Sequence, residues 1–324
     1  MRIAATATIT GLLVAVGTIL TLREPALMDP NGRNLGPQRT VVALPVDRQF
    51  LGAYDPKGAI TQPLDAEEVF IALSPSSSSD TLKTQVRRIL RLGRIPIVTL
   101  EPWPWETDGM TRQTLLTDLT VGRYDAAIQR VARTMNSFAP QVIYLRFAQE
   151  MDLGAIFPWA QGNPSAFIAA WQHFVQKFRA ANGQKNVRIM WSPTGHGSSH
   201  LYYPGGDFVD VIGCTALAAE EWIPVVGPVE SFADMVRDPY TFASRVGKLL
   251  IVAETGISAK DPALRMQWLE RARAAMPRLP LLQGVVYFDA RNPAANTPPG
   301  TQGGADWTLS SAERTAFFVP QIKR

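Results

Sequence analysis

Four acidic residues close apolar runs in this chain. They are Glu101 in "LEPWPWE", Glu150 in "RFAQEMD", Glu254 in "VAETG" and Asp289 in "YFDAR". A carboxyl group at the end of a buried strand can hold or accept a proton, or attack an electron-poor carbon. Two such groups flanking one bond can cleave a glycoside. One protonates the leaving oxygen, and the other stabilises or bonds the cationic sugar carbon. Glu150 and Glu254 are the pair selected, with Glu101 as the rival third carboxylate. Aromatic residues crowd the same segments: Trp103 and Trp105 follow Glu101, Trp159 follows Glu150, and Trp222 follows the run "FVDVIGCTAL". The axial C–H groups of a pyranose ring form apolar patches that stack on such rings. Arg146, four residues before Glu150, is placed to hold a carboxylate ionised and is counted with Gln149 among the substrate-binding candidates. Asp289 and Asp152 are candidates for binding sugar hydroxyls.

Other chemistries find little support. The single cysteine, Cys214, allows no intrachain disulfide and reads as a packed residue. His173, His196 and His200 have no partners at metal-ligand spacing, and no glycine-rich phosphate loop follows a strand. The reading therefore calls for no metal and no cofactor. Net charge is +4 and the basic residues are scattered, apart from Arg87, Arg88, Arg91 and Arg94, which read as a solvated helix face. Nothing in the sequence points to nucleic acid.

The elements that must position these residues are short runs rich in Val, Ile and Leu, as expected of strands buried on both faces. Eight are expected, at 40–46, 69–73, 95–101, 141–150, 187–193, 208–217, 249–256 and 284–290. Helical stripes fall between several of them. One runs through Tyr124, Ile128, Val131, Met135 and Phe138; a second through Phe167, Trp171, Phe174, Val175 and Phe178; a third through Met266, Leu269, Ala272 and Met276. Little helical pattern links the first strand to the second. Eight parallel strands with helices between them, in a chain of 324 residues, imply a single (β/α)8 TIM barrel over 40–324. In that fold the strand C-termini form the active face.

The uncharged run at 3–22, between Arg2 and Arg23, reads as a signal peptide or signal anchor spanning 1–23, followed by a linker at 24–39. It predicts a periplasmic or secreted protein, with a possible membrane tether through residues 3–22.

The run "YLRFAQEMD" with "IFPWAQGNPSAFIAAWQHFVQKFRAANGQKNVRIMWSPTG", continued by "YYPGGDFVDVIG", "LIVAETG", "GVVYFDA" and "DWTLSS", resembles glycoside hydrolase family 26. That family includes β-1,4-mannanases, mixed-linkage β-glucanases and β-1,3-xylanases. The resemblance implies a retaining mechanism on a (β/α)8 barrel, with Glu150 as acid/base on strand four and Glu254 as nucleophile on strand seven. Three positions depart from the family pattern. Gln149 stands where a His usually precedes the acid/base, Leu217 where a Tyr usually contacts the nucleophile, and Tyr287 where a Trp forms the sugar-stacking floor. Gln149 can still hydrogen-bond a sugar hydroxyl but cannot titrate near neutral pH.

The expected protein is a monomeric retaining endo-β-glycanase acting on a β-linked polysaccharide of the β-1,4-mannan or mixed-linkage β-glucan type. Two alternatives stay open. One is a non-catalytic carbohydrate-binding barrel, motivated by Gln149 and Leu217. The other is an exopolysaccharide-processing glycosidase or transglycosylase.

Overall fold

The computed structural model describes residues 49–73, 78–104, 109–154, 156–183, 185–292 and 304–319. The expected signal or anchor segment, the linker, the strand at 40–46 and Trp105 lie outside these. Among the described residues, no helix is long and apolar enough to cross a membrane.

Eight parallel strands close into one barrel in sequence order. They are β1 (Phe50–Tyr54), β2 (Ala66–Ala72), β3 (Ile95–Glu101), β4 (Ile143–Phe147), β5 (Val187–Trp191), β6 (Val211–Ala219), β7 (Leu250–Ser258) and β8 (Leu282–Phe288). The first strand is a correction. The ring closes through Phe50–Tyr54, paired to β8 from Phe50↔Gly284 to Tyr54↔Phe288, and not through the apolar run at 40–46. A short apolar run alone does not distinguish a barrel strand from another extended segment. No helix separates β1 from β2, as the weak helical pattern there suggested.

The outer helices are α1 (Ser78–Arg91), α2 (Leu115–Thr120), α3 (Asp125–Asn136), α4 (Pro164–Ala181), α5 (Ile223–Val226), α6 (Phe232–Met235), α7 (Arg237–Arg245), α8 (Pro262–Ala275) and α9 (Ser311–Phe318). The longest, α4, starts where Asn163 accepts a hydrogen bond from the Ala166 N–H and Pro164 pre-sets the first turn. Its stripe of Phe167, Trp171, Phe174, Val175 and Phe178 is buried against the barrel, with Phe174 stacked on Phe147. Of the four arginines read as a solvated face, Arg88 and Arg94 both grip Glu67.

Inside the barrel the two ends differ. The N-terminal layer is apolar, formed by Phe50, Ala66, Ile97, Tyr144, Met190, Val211, Ile251 and Val286. Gly284 lies so close to the Phe50 ring that a Cβ there would sit 2.2 Å from it. Above this layer the inward positions turn polar, with Glu68, Thr99, Arg146 and Thr215 all buried. Polar side chains at core positions need partners, and these ones find them in one another.

Candidate active site

Arg146 is fully buried and ties the polar layer together. Its Nε donates to Ser192 Oγ at 2.9 Å and its Nη1 donates to Glu254 Oε1. Nη2 reaches Thr215 Oγ1 at 3.4 Å, and Nη1 also lies 3.5 Å from Glu68 Oε1. The Thr215 hydroxyl in turn donates to Glu150 Oε1. One chain of contacts therefore runs from Glu150 through Thr215 and Arg146 to Glu254.

Each glutamate reaches this network through an irregularity in its strand. Strict alternation from Ile251, which faces the apolar layer, would turn Glu254 outward. The ladder between β6 and β7 skips Ala253, pairing Cys214 with Val252 and then Thr215 with Glu254. That bulge brings Glu254 inward, the re-aiming for which bulges are used. Glu150 lies just past β4 with φ of 54°, and Ala148 has φ of 46°. Left-handed backbone at non-glycine residues costs about 1–2 kcal/mol each and persists only where neighbours over-determine it. Here they do. The Glu150 N–H donates to the Ser192 carbonyl at 2.8 Å, the Ala148 N–H to the Leu100 carbonyl at 3.1 Å, and Trp159 Nε1 to the Gln149 carbonyl at 2.6 Å.

Both glutamates line one cavity of about 550 Å³ at the C-terminal end of the barrel. Burial, and next the negative charge of Glu254, push the Glu150 carboxyl up to about 7, against the opposing pull of Arg146 and Thr215. A carboxyl raised towards neutrality and a second one paired to Arg146 thus share one cavity. Burial also raises Glu101, which accepts from Gln149 Nε2 at 2.8 Å and from Trp103 Nε1 at 3.2 Å.

The other expected residues divide. Gln149, Trp222 and Leu217 line the cavity, as do Glu101 and His196. Trp103 is not among the lining residues; it is 38% exposed and bonded to Glu101. Trp159 is a correction: it is fully buried, stacked on Phe157, and braces the Gln149 backbone instead of offering a face to a sugar. Arg146 is also buried beneath the cavity, so it holds the carboxylates and does not touch a substrate. Asp289 is a third correction. It accepts from the Leu309 N–H at 2.7 Å and from Arg314 at 3.3 Å, and so fastens the segment leading into α9. Asp152 is used similarly, accepting from the Thr194 N–H and hydroxyl.

Tyr287 is the fourth correction, and its cause is strand parity. It is fully buried on the outer face of β8 against Phe317 and Phe318. The next residue, Phe288, points inward, lines the cavity, stacks on Tyr54 at 5.0 Å and meets Trp307 edge-on. Glu68, Thr215, Ser192 and Phe288 went unrecognised in the sequence. Glu68 was legible in principle, because Ala66, Glu68 and Phe70 alternate inward on β2. Starting that strand at 69 hid the pattern.

The family model of Glycosyl hydrolase family 26 matches residues 105–243. A β-1,3-xylanase of a Vibrio species is 30% identical over 105 residues, 31% of this chain and 22% of that protein. A β-1,3-xylanase of an Alcaligenes species is 25% identical over 118 residues, 35% of this chain and 24% of that protein. The chain thus spans about a quarter of the length of these relatives. Among solved structures, a GH26 β-mannanase from Bacteroides ovatus has a TM-score of 0.58 at 14% identity, covering 83% of this chain and 86% of that one. The GH26C protein of a Muricauda species has a TM-score of 0.58 at 17% identity, covering 74% and 78%. These likenesses carry the fold. It is glycosyl hydrolase family 26 that the chain resembles, in sequence over residues 105–243 and in fold over the barrel.

Proposed function

We propose that the protein is a retaining glycoside hydrolase of β-linked polysaccharides, with Glu150 as acid/base and Glu254 as nucleophile. The observation that carries this reading is the pair of unlike carboxyls in one cavity, linked through Thr215 and Arg146. Glu150, held protonated near neutral pH, gives its proton to the leaving sugar oxygen. Glu254, held in place by Arg146, attacks the anomeric carbon and forms a glycosyl ester. Glu150, now a carboxylate, takes a proton from water, which attacks the ester and frees Glu254. Arg146 offsets the charge on whichever carboxylate is ionised at each stage.

Phe288 takes the stacking-floor role expected of Tyr287, and Gln149 and Glu101, which line the same cavity, serve as sugar-hydroxyl partners. A β-1,4-mannan or mixed-linkage β-glucan is the substrate class proposed, with β-1,3-xylan included because the sequence relatives are β-1,3-xylanases. The run at 3–22 supports action outside the cytoplasm.

The test is reducing-sugar release from β-mannan, mixed-linkage β-glucan, β-1,3-xylan and cellulose, with Glu254→Ala as control. Cleavage of one polymer, reduced at least about 10³-fold in the variant, is expected; that loss corresponds to about 4 kcal/mol of transition-state stabilisation. Turnover that survives in Glu254→Ala would rule out this nucleophile.

A further inference from the structure

The cavity is polar at its base and apolar at its mouth. Glu101, Gln149, Glu150, Thr215 and Glu254 form the base. Two apolar lips rise from it: Leu153, Ile156 and Phe157 after β4, and Val226, Pro228 and Val229 after β6. These lips also gather much of the molecule's misplaced apolar surface. Among the described residues, eight large hydrophobic side chains are exposed, and four of them lie on the lip segments: Leu153 at 38%, Ile223 at 43%, Val225 at 48% and Val226 at 64%.

The exposed part of the second lip, Ile223 to Val226, is held outside the core, while Val229 packs against it. The single turn of α5, "IPVV", begins with proline in its first turn and ends at Gly227, whose φ of 91° turns the chain sharply into Pro228. Apolar side chains held in water beside a binding site gain free energy only when a ligand covers them. An unsubstituted sugar is a poor cover, because each hydroxyl pressed against a methyl group loses its water and finds no partner.

We propose that this cavity selects a β-glycan whose hydroxyls carry short acyl esters, with the ester methyl groups seated on the two lips. The inference rests on the glycosidase reading given above. The lips stand on two separate segments, after β4 and after β6, which favours several acyl groups along the glycan over a single apolar aglycone. Capping hydroxyls as esters also removes the donors that the lips cannot satisfy.

Binding separates this inference from the question of turnover. The full-length Glu254→Gln variant would be titrated calorimetrically with acetylated oligosaccharides from the polymers above, and with the same oligosaccharides after alkaline de-esterification. Wild-type cleavage of both forms would run in parallel. About tenfold tighter binding of the acetylated form is expected, and Val226→Asn with Leu153→Asn should erase most of that ratio. Equal or weaker binding of the acetylated form overturns the proposal. So does a preference confined to alkyl or aryl glycosides. An acetyl preference in binding without any wild-type cleavage supports the selectivity and contradicts the glycosidase reading.

Discussion

Among the described residues, Arg146 is the one fully buried cation facing three carboxyl groups, and its partners make its role measurable. Replacing it with methionine leaves Glu254 buried without its counter-charge. Removing one partner of a buried pair costs about 3–5 kcal/mol, so denaturant unfolding of Arg146→Met should show a loss of that size. Glu68 has the opposite character. It accepts from Thr99, its Oε2 has no hydrogen-bond partner, and burial pushes it up to about 8. Its folded-state pKa lies above the ordinary 4.5, so the folded protein holds this proton more tightly than the unfolded chain. Its contribution is therefore full at low pH and is lost as pH rises through about 8. Glu68→Gln should flatten the fall in stability between pH 5 and 8, read from denaturation midpoints across that range. Thr215 supplies a kinetic counterpart. Its hydroxyl favours ionised Glu150 and so lowers that group's pKa. Wild-type kcat/KM should fall above about pH 7 as Glu150 loses its proton, and Thr215→Val should move that alkaline limb to higher pH.

At the scale of the elements, the strands that carry the pair were legible and their irregularities were not. Apolar runs ending in Glu150 and Glu254 located β4 and β7 because a parallel strand buried on both faces has that composition. The bulge at Ala253 has no compositional mark, since an extra alanine in an apolar strand looks like its neighbours. The parity of β8 was hidden for a similar reason: Tyr287 and Phe288 are both aromatic, and only pairing to β1 and packing on α9 tell them apart. Their kinetics should differ. Phe288→Ala should lower kcat/KM about tenfold, or ~1.4 kcal/mol, while Tyr287→Phe should leave it unchanged. The glycines that let strands approach are equally local. Gly284→Ala drives a methyl group into the Phe50 ring and should cost roughly 1–3 kcal/mol of stability, with specific activity of the folded protein preserved.

Across the whole molecule, the barrel separates stability from chemistry along its axis. The apolar layer from Phe50 to Val286 closes one end, while Glu68, Thr99, Arg146 and Thr215 occupy core positions at the other. Local rules of core composition fail in that second half, where the site is. Fold class was readable because eight apolar runs and intervening stripes repeat over the chain. The first strand was misplaced because two apolar runs lie close together, and only ring closure selects Phe50–Tyr54. Retention is the central claim, and the anomeric configuration of the first product tests it most directly. Proton NMR of the polymer cleaved in the test above, recorded before mutarotation, should show the β-anomer appearing first and the α-anomer growing in later. An α-anomer appearing first would mean direct attack by water, and Glu254 would not be the nucleophile.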